Sequence, residues 1–157
     1  MDHNPSPEAQ VLGKYRIIAV VGLSARADRP SHRVAAYLKG HGYWVIPVNP
    51  RESQILGEKA YPDLCSIPES VEVVTIFRRP ARVPRIVAEA MYIGAQAVWM
   101  QLGIVHEAAA ERARRAGMTV VMDRCMMVEH RKLSGQGLPE KRAANGCPGQ
   151  LGRLRIP

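Results

Sequence analysis

Residues 16–24 read Arg16-Ile-Ile-Ala-Val-Val-Gly-Leu-Ser24. Ile17 to Val21 are apolar at every position rather than at every second one, and four of the five are β-branched. Such a run fits a strand covered on both faces, the situation of a parallel sheet. It stops at Gly22, a loop runs through Arg29, and Pro30 precedes Ser31–Gly40. There Val34, Ala35 and Leu38 recur at helical spacing, and Gly40 and Gly42 close the helix. A strand, a loop and a helix in that order form the opening unit of an α/β sheet.

The same alternation continues along the chain. Tyr43–Val48 reads as the second strand, closed by Asn49-Pro50. Residues 51–70 read as irregular, with turn signals at Leu56-Gly57 and Tyr61-Pro62-Asp63. Val71–Phe77 is the third strand, Ala95–Met100 the fourth and Met118–Met122 the fifth. Helices are expected over Pro80–Ala90 and Val105–Ala116, and from near Asp123 to Leu133. The pattern predicts a Rossmann-like, doubly wound parallel sheet of about five strands with helices on both faces. The strand order expected is 3-2-1-4-5. Residues 1–12 read as an N-terminal extension and 13–133 as the folded domain. Residues 134–157 read as a Gly/Pro-rich basic tail expected to be poorly ordered.

A length of 157 residues suits one domain and excludes a two-domain dehydrogenase or a kinase. Apolar residues make up 46% and charged residues 23%, the balance of a globular chain. The formal net charge is +8. Residues 1–130 carry 16 bases and 13 acids, while residues 131–157 carry 6 bases and one acid. Most of the surplus therefore lies at the C-terminal end, which raises nucleic acid as a partner. Aromatic residues are only 5%, so a stacking surface for single strands is poorly supplied. Cys65, Cys125 and Cys147 are odd in number and widely spaced, which argues against a disulfide framework or a zinc site. No apolar run approaches a membrane span, and the first ten residues lack a signal-peptide layout. A cytoplasmic location is expected.

Ligands of open α/β sheets bind beyond the carboxyl ends of the strands, at the point where the winding reverses. For order 3-2-1-4-5 that point lies between the first and fourth strands. The first loop, Gly22 to Ser31, matches neither the three-glycine dinucleotide turn nor a Walker loop. It does lead into a helix amino terminus, where free N–H groups favour an anion, and Arg26, Arg29 and Arg33 add charge. After the second strand stand Asn49, Pro50 and Arg51 instead of the acid that would bind NAD ribose hydroxyls. An arginine there suits a ribose-borne phosphate. Arg78-Arg79-Pro80 adds arginines at the third strand end. Arg82 and Arg85 read as a solvated helix face.

Taken together, Val20-Val-Gly-Leu-Ser24, Arg29-Pro-Ser31, Gly42-Tyr43, Pro47-Val-Asn-Pro50, Val121-Met-Asp-Arg-Cys125 and Glu129-His130 resemble the small CoA-binding proteins. These are single-domain relatives of the N-terminal domain of the succinyl-CoA synthetase α subunit. The resemblance spans about residues 13–133. It implies a Rossmann-like fold that binds coenzyme A. The positions it marks are Gly22, Ser24 and Arg26 in the first loop, then Pro30 and Ser31 at the helix start. It marks Pro50 and Arg51 at the nucleotide end, and Arg78, Arg79 and Pro80 at the next strand end. Gln101, Gly103 and Ile104 match the turn beside the pantetheine arm. The synthetase's glycine-rich loop is replaced here by Ala25-Arg26-Ala27-Asp28, and its second domain with the phosphorylated histidine is absent. The resemblance therefore implies binding, and synthetase activity is not expected.

Catalytic candidates are thin. His32 lies in the first helical turn near the expected site and reads as an exposed polar residue. Cys125 precedes a helix without a placed base and reads as a small buried residue, and His130 reads as structural. The sequence thus predicts a binding module for CoA or an acyl-CoA, without catalytic or metal residues, at a membrane-free location. A homo-oligomer is left open. The alternatives are an NADP-dependent enzyme on the same fold and nucleic-acid binding through the basic tail.

Overall fold

The strand Ile17–Val21, β1, divides its side chains between two cores. Ile18 and Val20 enter one cluster, and Ala19 and Val21 enter the other. Both faces need apolar residues, which is why the run does not alternate in polarity.

The computed structural model describes residues 4–138. Before β1 lies α1 (Pro7–Lys14), and after it come α2 (Pro30–Gly40) and β2 (Trp44–Val48). A hairpin of β3 (Gln54–Ile55) and β4 (Glu58–Lys59) and a 3-10 turn at Leu64–Ser66 follow. Then come β5 (Val73–Ile76), a 3-10 turn at Pro80–Arg82, α3 (Val83–Tyr92) and β6 (Ala97–Met100). The described chain closes with α4 (Glu107–Arg115), β7 (Thr119–Val121) and α5 (Met126–Ser134). Five strands form one parallel sheet in the order β2-β1-β5-β6-β7. The fold is a doubly wound, Rossmann-like α/β sheet.

The expected strand order is corrected. Counting only the five strands of the main sheet, the order is 2-1-3-4-5, because β5 pairs with β1 and not with β2. Two features of β2 make it an edge strand. Pro47 lacks an N–H, so β2 cannot complete a ladder on both sides. Its outer edge is instead capped by the segment after the hairpin, where Asn49 N donates to Tyr61 O (2.8 Å) and Tyr61 N donates to Pro47 O (3.0 Å). On the other side of β1, the Glu72 carboxylate accepts from the backbone N–H groups of Arg16 (2.8 Å) and Ile17 (2.9 Å), locking the entry to β5 beside β1.

From β1 the chain therefore winds one way to β2 and the opposite way to β5, β6 and β7. Right-handed crossovers then require the helices to separate by face. They do: Val34, Ala35 and Leu38 of α2 join Ile18 and Val20, whereas Val83, Ile86 and Val87 of α3 and the alanines of α4 join Ala19 and Val21. The stretch read as an N-terminal extension contains most of α1, capped by Ser6 and burying Val11 and Leu12 against the α2 side. Residues 139–157, most of the basic stretch beginning at 134, lie outside the described residues.

Candidate functional site

Gly22 ends β1 with φ of +87°. A Cβ there would lie 2.5 Å from Phe77 O and 3.0 Å from Arg78 Cδ. Only glycine lets the loop after β1 pass this close to the end of β5. Leu23 then turns fully into the core, anchoring the loop from below. Ser24 N donates to Ser31 Oγ (3.0 Å), and Ser24 Oγ accepts from Arg26 N (3.1 Å). Both serine oxygens thus accept from backbone and fold the loop against the start of α2.

That helix starts with Arg29 as N-cap and Pro30 in the first turn, with no side-chain cap and no acid. Its amino terminus therefore carries an uncompensated positive dipole end, a setting that favours an anion. On the neighbouring strand, Asn49 Nδ2 donates to Leu23 O (3.0 Å) and Asn49 Oδ1 accepts from Arg51 N (2.8 Å). Across from it, Phe77 and Arg78 leave the end of β5, where Phe77 N donates to Val21 O (2.9 Å).

These three loops enclose a cleft of about 650 Å³ at the carboxyl end of the sheet. The winding reverses between β1 and β5, so the crevice opens there. The expectation of a crevice between the first and fourth strands is corrected along with the strand order. Gly22, Ser24, Arg26, Pro30 and Ser31 line the cleft from the first loop, and Pro50, Arg51 and Arg78 from the other two. Arg29, named for its charge in the first loop, and Asn49, named at the end of the second strand, line it as well, and so do Phe77 and Arg82. Arg82, read as a solvated helix residue, is exposed and faces the cleft. Its place at the end of the 3-10 turn that follows the β5 loop brings it to the cleft beside Arg78.

Other marked residues stand apart. Arg79 and Pro80 begin the exposed 3-10 turn and do not line the cleft. Gln101 is buried beyond β6, with Oε1 accepting from Met126 N (3.0 Å) at the start of α5, and its Nε2 has no partner among the described residues. Gly103 N donates to Asp123 Oδ1 (2.7 Å), and Ile104 N donates to Gln101 O (2.9 Å). This turn follows β6, one strand away from β5; Gln101 ties it to the start of α5, while Ile104 packs against the α3 and α4 side. Cys125 is a free, half-buried thiol at the N-cap of α5. His130 is buried beside Tyr37, with Tyr37 Oη 2.8 Å from its Nδ1.

The cleft is strongly basic. Arg26 pairs with Asp28 at 3.1 Å, both exposed. Arg29, Arg51, Arg78 and Arg82 make no ion pair among the described residues. Arg85, by contrast, pairs with Glu89 along α3. No group of three or more metal-binding side chains occurs among the described residues, and no described helix is long and apolar enough to cross a membrane.

Comparison with known proteins agrees with this architecture. "Uncharacterized protein YneT" of Bacillus subtilis (strain 168) is 40% identical over 129 residues, spanning 81% of this chain and 96% of that protein. A hypothetical protein from Pyrococcus horikoshii OT3 superposes with a TM-score of 0.79 at 37% identity, covering 86% of this chain and 99% of that one. The ADP-forming acetate–CoA ligase II of Archaeoglobus fulgidus is 32% identical over 85 residues, 53% of this chain but only 13% of the ligase. The model of the CoA binding domain matches residues 16–131. The chain belongs to the family of CoA-binding domains.

Proposed function

We propose that the cleft binds coenzyme A or an acyl-CoA, as a binding module without catalysis of its own. The observation that carries this reading is four cleft arginines without a carboxylate partner among the described residues. Exposed guanidinium groups gathered in one crevice raise its positive potential and favour bidentate phosphate contacts. Coenzyme A offers a pyrophosphate and a ribose 3′-phosphate. The pyrophosphate suits the uncapped start of α2 with Arg26 and Arg29. The ribose phosphate suits Arg51, since Asn49 and Pro50, and no acid, directly follow β2.

NADP shares the same charge pattern, with its phosphate on the adjacent ribose carbon. The single glycine of the first loop speaks against it, because the dinucleotide turn uses three. Calorimetric titration with CoA, dephospho-CoA, NADP and NAD separates the readings. Tighter binding of CoA than of dephospho-CoA, with NADP weaker than both, is the expected result. Absence of CoA binding, or a preference for NADP, would overturn it.

A further inference from the structure

We propose that Asn49 is a positioning residue that joins the two anion-facing loops of the cleft. Through its bond to Arg51 N it lets the protein discriminate a ligand with a ribose-borne phosphate from one without it, and through its bond to Leu23 O it holds the first loop for both ligands. The inference rests on the coenzyme A reading of the same cleft.

Asn49 is half-buried at the end of β2, and both ends of its carboxamide are used. Oδ1 accepts from Arg51 N at 2.8 Å, the local bond of an Asx turn. Nδ2 donates to Leu23 O at 3.0 Å, twenty-six residues away. A turn needs only the first bond. The second is non-local, and its far end is immobile because Leu23 is fully buried. Beyond Leu23 the bonding continues, with Ser24 N on Ser31 Oγ and Arg26 N on Ser24 Oγ. One unbroken series of bonds therefore runs from the backbone of Arg51 to the loop holding Arg26 and to the start of α2. The Arg51 side chain is exposed and long, so the protein positions it through its backbone. Asparagine alone supplies a donor and an acceptor at this reach. Aspartate lacks the donor, and serine is too short for Leu23.

The two bonds make separable predictions. In calorimetric titrations the wild-type chain should prefer CoA to dephospho-CoA by about tenfold or more, the effect of one charge-assisted phosphate contact. Asn49→Ala removes both bonds and should cut that preference to roughly threefold or less while weakening dephospho-CoA as well. Asn49→Ser can still accept from Arg51 N and cannot tether Leu23. It should keep most of the preference and weaken both ligands together. Melting followed by circular dichroism accompanies each titration, and the serine variant supplies the readout if the alanine variant does not fold. A preference unchanged in Asn49→Ala, with both affinities reduced alike, would show a merely structural residue and overturn the proposal. So would a serine variant that loses the preference. A wild-type chain that binds neither ligand fails the coenzyme A reading itself, a result distinct from the other two.

Discussion

A methyl group added at Gly22 would meet the Phe77 carbonyl oxygen at 2.5 Å, on a backbone with φ of +87°. Backbone atoms cannot yield as a flexible side chain can. Gly22→Ala should therefore lower unfolding free energy by about 2 kcal/mol, combining left-handed strain with the clash. Urea unfolding measures this, and a loss below about 0.5 kcal/mol would contradict the close approach of the two loops. Arginine substitutions test the cleft itself. A charge-assisted phosphate contact contributes about 1.5–3 kcal/mol, or roughly 10- to 150-fold in affinity. Arg51→Ala and Arg26→Ala should weaken CoA by about that factor, and Arg51→Ala should matter little for dephospho-CoA. Arg114 is exposed in the last turn of α4. Arg114→Ala should change binding by less than about twofold. Equal losses for Arg114→Ala and Arg51→Ala would put the pocket at the wrong end of the sheet.

At the scale of elements, α1 shows how little apolar material a short helix needs. Its two buried residues, Val11 and Leu12, share a cluster with Leu38 of α2 and Met126 of α5, and Tyr43 Oη donates to Leu12 O at 2.6 Å. Leu12→Ala should cost about 2–5 kcal/mol in chemical unfolding, as for other fully buried leucines. A cost below about 1 kcal/mol would mean that α1 is not part of the cooperative unit. Two large apolar residues in eight carry almost no periodic signal, so the sequence pattern does not mark this helix. The longer helices were legible because α2 and α3 repeat apolar residues over at least two turns. The edge position of β2 was legible too, in Pro47, and the proline argued against the central place that order 3-2-1-4-5 assigns to this strand.

For the whole molecule, the separation of charge decides a further outcome. Five arginines, Arg26, Arg29, Arg51, Arg78 and Arg82, line the cleft at one end of the sheet, and four of them make no ion pair among the described residues. Exposed charge interactions are screened over about 8–10 Å at 0.10–0.15 M salt. CoA affinity should fall as sodium chloride rises from about 50 to 500 mM, and it should fall more steeply than that of dephospho-CoA. Parallel slopes for the two ligands would remove the ribose phosphate from the basic cleft. A ligand specific for the folded state also stabilises it. At a free concentration one hundred times the dissociation constant, CoA should add about 2.7 kcal/mol to unfolding stability.

What the sequence by itself determined was local. Runs such as Ile17–Val21 identified buried parallel strands, glycines marked helix ends, and the residues after each strand named the loops that carry charge. These readings need only neighbours along the chain, because burial and helical period are written within one element. The order of strands was a different matter. Whether β5 lies beside β1 or β2 depends on hydrogen bonds between residues far apart in sequence, such as the Glu72 carboxylate with the backbone at Arg16 and Ile17. Beyond the hint in Pro47, tertiary structure therefore decided where the winding reverses. That choice brought Arg78 and Arg82 into one cleft with Gly22 and Arg51, and left Gln101 to Ile104 one strand away, beyond β6. A residue's distance from a crevice is set by the neighbours its strand acquires in the sheet, and those neighbours are chosen by the fold as a whole.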